Sequence, residues 1–181
     1  GSIKLDFLES IFRNNSKVTM DLSLKGKIEK SAKIVEASTK GSLPVYGVNT
    51  GFGKLANKII PEEDCEQLQK NLVLSHCSGI GEPLPEDVTR LMMILKMISL
   101  SFGASGVKWS TINQIEKIIN SGIIPEIPHQ GSVGASGDLA PLAHMAAVMI
   151  GEGWAFYNGE KLTGSEALQK VIIDPIVLGP K

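Results

Sequence analysis

A mainly α-helical fold with a minor β-hairpin is what this sequence predicts, on three observations. Apolar residues recur at intervals of three and four in several windows, most clearly at Ile112, Ile115, Ile118 and Ile119, which is the spacing of one face of a helix. Helix punctuation lies between those windows, with Pro61 ahead of Glu62, Glu63 and Asp64, and with Gly41 and Gly122 behind helical runs. Trp154-Ala155-Phe156-Tyr157 followed by Asn158-Gly159 reads as a hairpin, because Asn-Gly favours the type I′ turn. At 181 residues, 43% hydrophobic and 20% charged, the chain is long enough for one domain with its own core.

Taken in order, Lys4 to Arg13 places Leu5, Leu8, Ile11 and Phe12 at helical spacing and stops at Asn14-Asn15-Ser16. Ser23 is expected to cap a second helix running to about Lys40, with Leu24, Ile28, Ile34 and Val35 apolar and Gly41 ending it. A glycine-rich loop, Ser42 to Lys58, follows. Pro61 begins the third helix where a missing amide hydrogen is tolerated, and the acidic residues behind it sit at the positive end of the helix dipole. That helix carries Leu68, Leu72 and the approach to His76. Beyond Pro83 and Pro85 comes the most apolar helix, Glu86 to about Phe102, whose Leu91, Met92, Ile94, Leu95, Ile98 and Leu100 cover more than one face, so burial on most sides is expected. Gly103-Ala104-Ser105-Gly106 breaks it, and Ser110 or Thr111 recaps the isoleucine-striped helix that ends at Gly122. Pro125 and Pro128 stiffen the next connection. Asp138 is expected to cap a helix from Leu139 to Ile150 with Pro141 in its first turn. A short helix, Ser165 to Val171, follows the hairpin, and Asp174-Pro175 and Gly179-Pro180 punctuate the end.

Composition narrows the function classes. Eighteen basic against nineteen acidic residues leave a net charge of −1, so no global field favours nucleic acid or an anionic membrane, and neither is an expected partner. No apolar run approaches the ~18 residues of a membrane span, because Lys96 interrupts Leu91 to Leu100 and Pro141 and His144 interrupt Leu139 to Ile150. A soluble, cytoplasmic protein is expected. Cys65 and Cys77, without a secretory leader, read as thiols of a reducing compartment. Gly1-Ser2 reads as an expression remnant and stands outside the fold reading. There is no HExxH or clustered Cys/His spacing, so no metal is expected. Gly51-Phe52-Gly53-Lys54-Leu55-Ala56 matches G-x-G-x-x-A, yet it lacks the preceding strand and the later acidic residue of a dinucleotide site, so no nucleotide is expected either. Gly134-Ala135-Ser136-Gly137-Asp138 lacks the last glycine of a nucleophile elbow, and Ser105-Gly106-Val107-Lys108 lacks the companions of an S-x-x-K hydrolase.

The informative stretch is Gly131-Ser132-Val133-Gly134-Ala135-Ser136-Gly137-Asp138-Leu139-Ala140-Pro141-Leu142-Ala143-His144-Met145, a loop of nearly bare backbone directly ahead of an apolar helix. Glycine and alanine leave the peptide groups of Ala135 to Gly137 unshielded. If the Gly137 amide nitrogen reaches the Ala135 carbonyl carbon, ring closure and loss of two waters, one from Ser136, give the electrophile 4-methylidene-imidazol-5-one (MIO). Two further motifs lie upstream: Tyr46-Gly47-Val48-Asn49-Thr50-Gly51-Phe52-Gly53 and Leu74-Ser75-His76-Cys77-Ser78-Gly79-Ile80-Gly81-Glu82-Pro83-Leu84. Together the three ordered motifs resemble those of the aromatic amino-acid ammonia-lyases, in which Ala-Ser-Gly matures autocatalytically into MIO. A second Ala-Ser-Gly, Ala104 to Gly106, is flanked by Phe102 and Val107 instead of a glycine-rich loop and a cap, and reads as a break between helices.

The resemblance covers nearly the whole chain and implies the N-terminal helical domain of the ammonia-lyase (fumarase/aspartase-like) fold. Residues 1–181 would be that single domain or a truncated part of it, carrying the MIO loop without the family's central helical bundle. It also implies the chemistry: ammonia leaves an aromatic L-amino acid to give a trans-2,3-unsaturated acid, with Ala135, Ser136 and Gly137 supplying MIO and Tyr46 as the general base. A tyrosine serves as base only where positive or electrophilic surroundings favour phenolate. Gly53 corresponds to the glycine that lets the substrate backbone approach. His76 lies in the selectivity segment and is expected to contact the substrate ring, favouring L-histidine and urocanate, the first step of histidine degradation. Tyrosine ammonia-lyases also carry histidine there, usually followed by leucine, whereas Cys77 follows here. His129, beside Pro128, and His144, inside an apolar helix, are read as structural. Family enzymes are homotetramers in which the tyrosine is offered to another subunit's MIO. The alternatives are a tyrosine or phenylalanine ammonia-lyase or an aminomutase of the same family, or a non-catalytic helical assembly fragment, and the chain alone is expected to be inactive.

Overall fold

The computed structural model describes residues 3–41, 43–135 and 137–179. Among these the helices are α1 (Leu5–Asn14), α2 (Lys25–Thr39), α3 (Glu62–His76), α4 (Glu86–Ser101), α5 (Trp109–Ser121), α6 (Ala140–Met149) and α7 (Gly164–Lys170). The strands are short: β1 (Ile80–Pro83), β2 (Ile124–Pro125), β3 (Pro128–Gln130), β4 (Val133–Gly134), β5 (Gly137–Asp138), β6 (Trp154–Tyr157) and β7 (Glu160–Thr163). The fold is mainly helical, as the periodicity predicts, and every expected helix is found within about two residues of its predicted ends.

The isoleucine stripe of α5 is the centre of the core. Ile112, Ile115, Ile118 and Ile119 are all buried, packed with Met93, Ile94, Met97 and Leu100 of α4 and with Met145, Val148 and Met149 of α6. Burial of each such side chain stabilises by roughly 1.5–3 kcal/mol. The expectation that α4 is buried on most sides needs correcting, because Val88, Leu95 and Phe102 are exposed. They recur every seven residues and therefore share the side of α4 turned away from the methionines that meet α5.

Two helix starts differ from the sequence reading. The cap ahead of α2 is Asp21 and not Ser23: its carboxylate accepts from the Ser23 backbone N–H at 2.9 Å and opens a 3-10 turn, Leu22–Leu24, that runs into the helix. Neither Ser110 nor Thr111 caps α5. Lys108 occupies the cap position, and Glu29 Oε1 on α2 accepts from the Trp109 backbone N–H at 3.0 Å instead. A carboxylate from a neighbouring helix thus satisfies a donor that local side chains leave open.

The hairpin β6-β7 forms as predicted, with Asn158 at φ 51° and Gly159 at φ 79°, the two positive values of a type I′ turn. β2 adds to its free side to make three strands in the order β2-β6-β7. Thr163 and Glu166 form a capping box that starts α7. Two pairings were not legible in the sequence, the antiparallel β1-β3 and the minimal hairpin β4-β5. Both bear on the site, since β1 follows α3 and β3 leads to the loop at Ala135.

Candidate active site

β4 and β5 pair Val133 with Asp138 and Gly134 with Gly137, so Ala135 sits at the tip of a hairpin with a glycine on each arm. Ser136 lies outside the described residues. Gly137 holds φ at 91°, a conformation that disfavours any side chain, and no heavy atom lies within 4 Å of where a Cβ would stand at Gly134 or Gly137. Gly134, Ala135 and Gly137 are exposed. Behind the tip, Asp138 Oδ1 accepts from the Ala140 N–H at 3.2 Å. The expected Asp138 bond is present, although α6 starts one residue late and Leu139 holds the cap position. The Asp138 carboxylate also fills the space beside Gly131 that a Cβ there would need.

His76 is the last residue of α3, and α3 packs along α6. Its Nδ1 lies 2.8 Å from the Leu72 carbonyl oxygen and 3.2 Å from Ser75 Oγ. A carbonyl only accepts, so Nδ1 carries the hydrogen and the neutral ring keeps an acceptor lone pair on Nε2. No described residue bonds that nitrogen. His76 lines two cavities at once. One, of about 320 Å³, is shared with Ser75, Ser78, Gly134, Ala135 and Gly137; the other, of about 310 Å³, is apolar and lined by Phe52, Leu72, Leu139, Leu142 and Ala143. The structure thus brings His76, Ala135 and Gly137 together.

Tyr46 is not brought to them. It is 62% exposed in the turn 46–49, its ring edge-on to Phe52 at 5.7 Å, and lines neither cavity. Gly53 adopts φ 57° with open space where a side chain would be. Sequence reasoning missed what holds this loop. Asn49 is buried: its Oδ1 accepts from Val45 N–H (2.7 Å) and its Nδ2 donates to Leu43 O (3.0 Å) and Ser38 O (3.3 Å). Buried Thr50 donates to Gly51 O at 2.9 Å. Polar residues inside a glycine-rich motif were the available signal, since buried amides are retained only with partners.

The remaining histidines stay apart from the loop cavity. His129 Nδ1 meets Glu82 O at 2.9 Å across β1-β3. His144, on α6, accepts at Nε2 from the Gly79 N–H at 3.2 Å, and burial holds its pKa below the ordinary value against an opposing pull from Glu126. No disulfide joins Cys65 and Cys77; burial pushes the Cys77 thiol up, the reverse of what a reactive thiolate needs. The second Ala-Ser-Gly packs against α2, where a Cβ on Gly106 would collide with Val35.

A family model described as aromatic amino acid lyase matches residues 3–181. Phenylalanine aminomutase from Pantoea agglomerans is 32% identical with a TM-score of 0.92, the match covering 99% of this chain and 34% of that one. Histidine ammonia-lyase from Trypanosoma cruzi is 32% identical with a TM-score of 0.86, covering 96% and 33%. The ergothioneine-degrading ergothionase from Treponema denticola is 29% identical with a TM-score of 0.93, covering 98% and 36%. The chain spans about a third of the length of each of these proteins.

Proposed function

We propose, from the premise that this chain belongs to the aromatic amino acid lyase family, that it is the loop-bearing part of an enzyme eliminating ammonia from L-histidine to give trans-urocanate. One observation carries the reading: exposed Ala135 and Gly137 line a cavity that His76 shares. The open space at Gly134 and Gly137 and the positive φ of Gly137 fit formation of MIO from Ala135-Ser136-Gly137. That group supplies the electrophile that makes the substrate amine a leaving group.

The chain's own residues have separate tasks. His76, with Nδ1–H held by Leu72 O, offers Nε2 as acceptor to the imidazole N–H of the substrate. Gly53 leaves room for the substrate's backbone. Tyr46 takes the β-proton as the Cα–N bond breaks and the double bond forms, and its absence from the lining of the loop cavity supports delivery to a second subunit's loop in a homo-oligomer, a tetramer in our reading. No helix among the described residues is long and apolar enough to cross a membrane, and a cytoplasmic enzyme is part of the proposal.

The apolar cavity beyond His76 favours a second reading, a phenylalanine or tyrosine substrate with a lyase or aminomutase outcome. In the intact enzyme, Ser136→Ala is expected to cut urocanate formation by at least about 1,000-fold through loss of MIO. Undiminished turnover would remove the MIO assignment. His76→Phe is expected to lower kcat/KM for L-histidine relative to L-phenylalanine and L-tyrosine; an unchanged preference for histidine would reduce His76 to structure.

A further inference from the structure

Between α3 and β1 the chain makes a three-residue turn whose anchoring comes from elsewhere in the molecule. Cys77 N–H donates to Leu74 O at 3.2 Å and Ser78 N–H to His76 O at 2.8 Å, closing the turn locally. Gly79 N–H then leaves the turn and donates to His144 Nε2 at 3.2 Å, a bond spanning 65 residues. The fit is close, because a Cβ on Gly79 would stand 3.0 Å from that nitrogen and 3.1 Å from Pro128 Cβ. His144 lies one turn into α6, the helix that begins directly behind Gly137 and Asp138. One rigid element therefore carries the reactive loop at its start and, four residues on, the acceptor that grips the His76 segment.

We propose that His144 is a positioning residue: by accepting from Gly79 it fixes the Cys77–Gly79 turn to α6 and so sets His76 at a constant distance from the Ala135–Gly137 loop. The inference rests on the reading that His76 contacts the substrate ring. Without the Gly79 bond, His76 is tied to α6 only through the packing of α3 along it, and His76 is the last residue of α3, where helices fray. The β1-β3 pairing tethers the segment downstream but begins only at Ile80. Because the donor is a backbone amide, His144 must be neutral with its hydrogen on Nδ1, which is the tautomer that can accept at Nε2. Its surroundings maintain that form. It shares a cavity of about 390 Å³ with Leu74, Cys77, Pro128, Trp154, Glu126 and Lys161. Of these, Glu126 pulls toward the protonated ring, but it is paired with Lys161 at 2.8 Å and burial outweighs it, while Cys77 is held as the thiol. No described acid pairs with the ring itself.

Two measurements test this. In the chain as it stands, long-range ¹⁵N–¹H correlation of the histidine rings is expected to show His144 as the Nδ1–H tautomer, and the Gly79 amide resonance is expected to follow the His144 titration. An Nε2–H tautomer, or a Gly79 amide indifferent to His144, overturns the proposal. In the intact enzyme, His144→Phe removes the acceptor while His144→Gln offers a carbonyl oxygen in its place. His144→Phe is expected to lower kcat/KM for L-histidine between about 10- and 100-fold, the range a small misplacement costs, with the mass of the mature loop unchanged and His144→Gln recovering part of the loss. Combined with His76→Phe, the His144→Phe penalty is expected to vanish, since there is no ring left to position. An equal penalty in both backgrounds assigns His144 to general stability and refutes the proposal. Retained histidine preference in His76→Phe alone instead sinks the His76 reading, so the two failures are told apart. Should His144→Phe not fold, the tautomer and the His144→Gln kinetics decide: wild-type kinetics in His144→Gln with a Gly79 amide shifted to an unbonded position refutes the proposal.

Discussion

Asn49 does more than Tyr46 to shape the tyrosine loop. Its buried amide makes three backbone bonds that close the turn around Tyr46 and tie it to the end of α2. Asn49→Ala leaves one donor and two acceptors without partners, and is expected to lower stability by about 2–3 kcal/mol in urea unfolding, the range for stranding buried polar groups. A loss within error would show that water replaces the amide. His144 gives a second expectation at this scale. Its pKa is lowered in the folded chain, chiefly by burial, from an ordinary 6.5. The stability it contributes is therefore fully present above that value and is lost as pH falls toward and through the lowered one. Thermal unfolding of His144→Gln and of the parent chain should accordingly diverge least below that window and most above it. A parent midpoint that rises as the solution is acidified from neutral to pH 5, relative to the variant, would contradict the sign.

Apart from the exposed side of α4, sequence and structure part company at helix ends more than at helix faces. The stripe of α5 and the apolar face of α4 are readable because a period of 3.6 residues is a local property. The acceptor for the α5 amino end is Glu29, 80 residues away, and no local pattern points to it. Glu29→Ala is expected to cost about 1 kcal/mol, as other lost caps do, while Ser23→Ala, which removes only an exposed hydroxyl beside the capping Asp21 carboxylate, is expected to stay within about 0.5 kcal/mol. Equal costs would restore Ser23 as the cap. The two Ala-Ser-Gly copies also differ: at Gly106 both a positive φ and Val35 oppose a side chain, so Gly106→Ala is expected to lower the unfolding midpoint, whereas at Gly137 only the positive φ opposes one and its replacement is expected to lower the midpoint less.

At the scale of the whole molecule the decisive fact is that Tyr46 does not line the loop cavity. One copy places His76 beside Ala135 and Gly137 and leaves Tyr46 outside that cavity, so a single copy of this chain is expected to form no urocanate. Mixed oligomers of the intact enzyme test the reason. Tyr46→Phe and Ser136→Ala are each expected to be inactive alone, and co-assembly is expected to restore up to about a quarter of the activity, because some sites then combine an intact loop with an intact tyrosine from different subunits. No recovery on mixing would place both residues in one chain. The isoleucines of α5 are buried within the chain, whereas Val88 and Leu95 of α4, and Phe102 just beyond it, are among the apolar residues left in solvent.

By itself the sequence determined the helical class, the order and approximate limits of the helices, the type I′ hairpin and the presence of a bare backbone tip at Ala135–Gly137, all of which follow from contacts within a few residues. It also marked His76 and Tyr46 through their motifs, without saying which of them faces the tip. Only the tertiary structure decided that α3 lies along α6 and so puts His76 at the loop, that Glu29 and Asp21 supply the caps, that Asn49 and Thr50 are interior residues, and that Gly79 reaches His144. The physical reason is shared. A side chain's conformational preference is local, but the partner of a buried amide or an open helix end is whichever acceptor packing brings within about 3 Å, and packing joins residues whose separation along the chain leaves no trace in either one's neighbourhood.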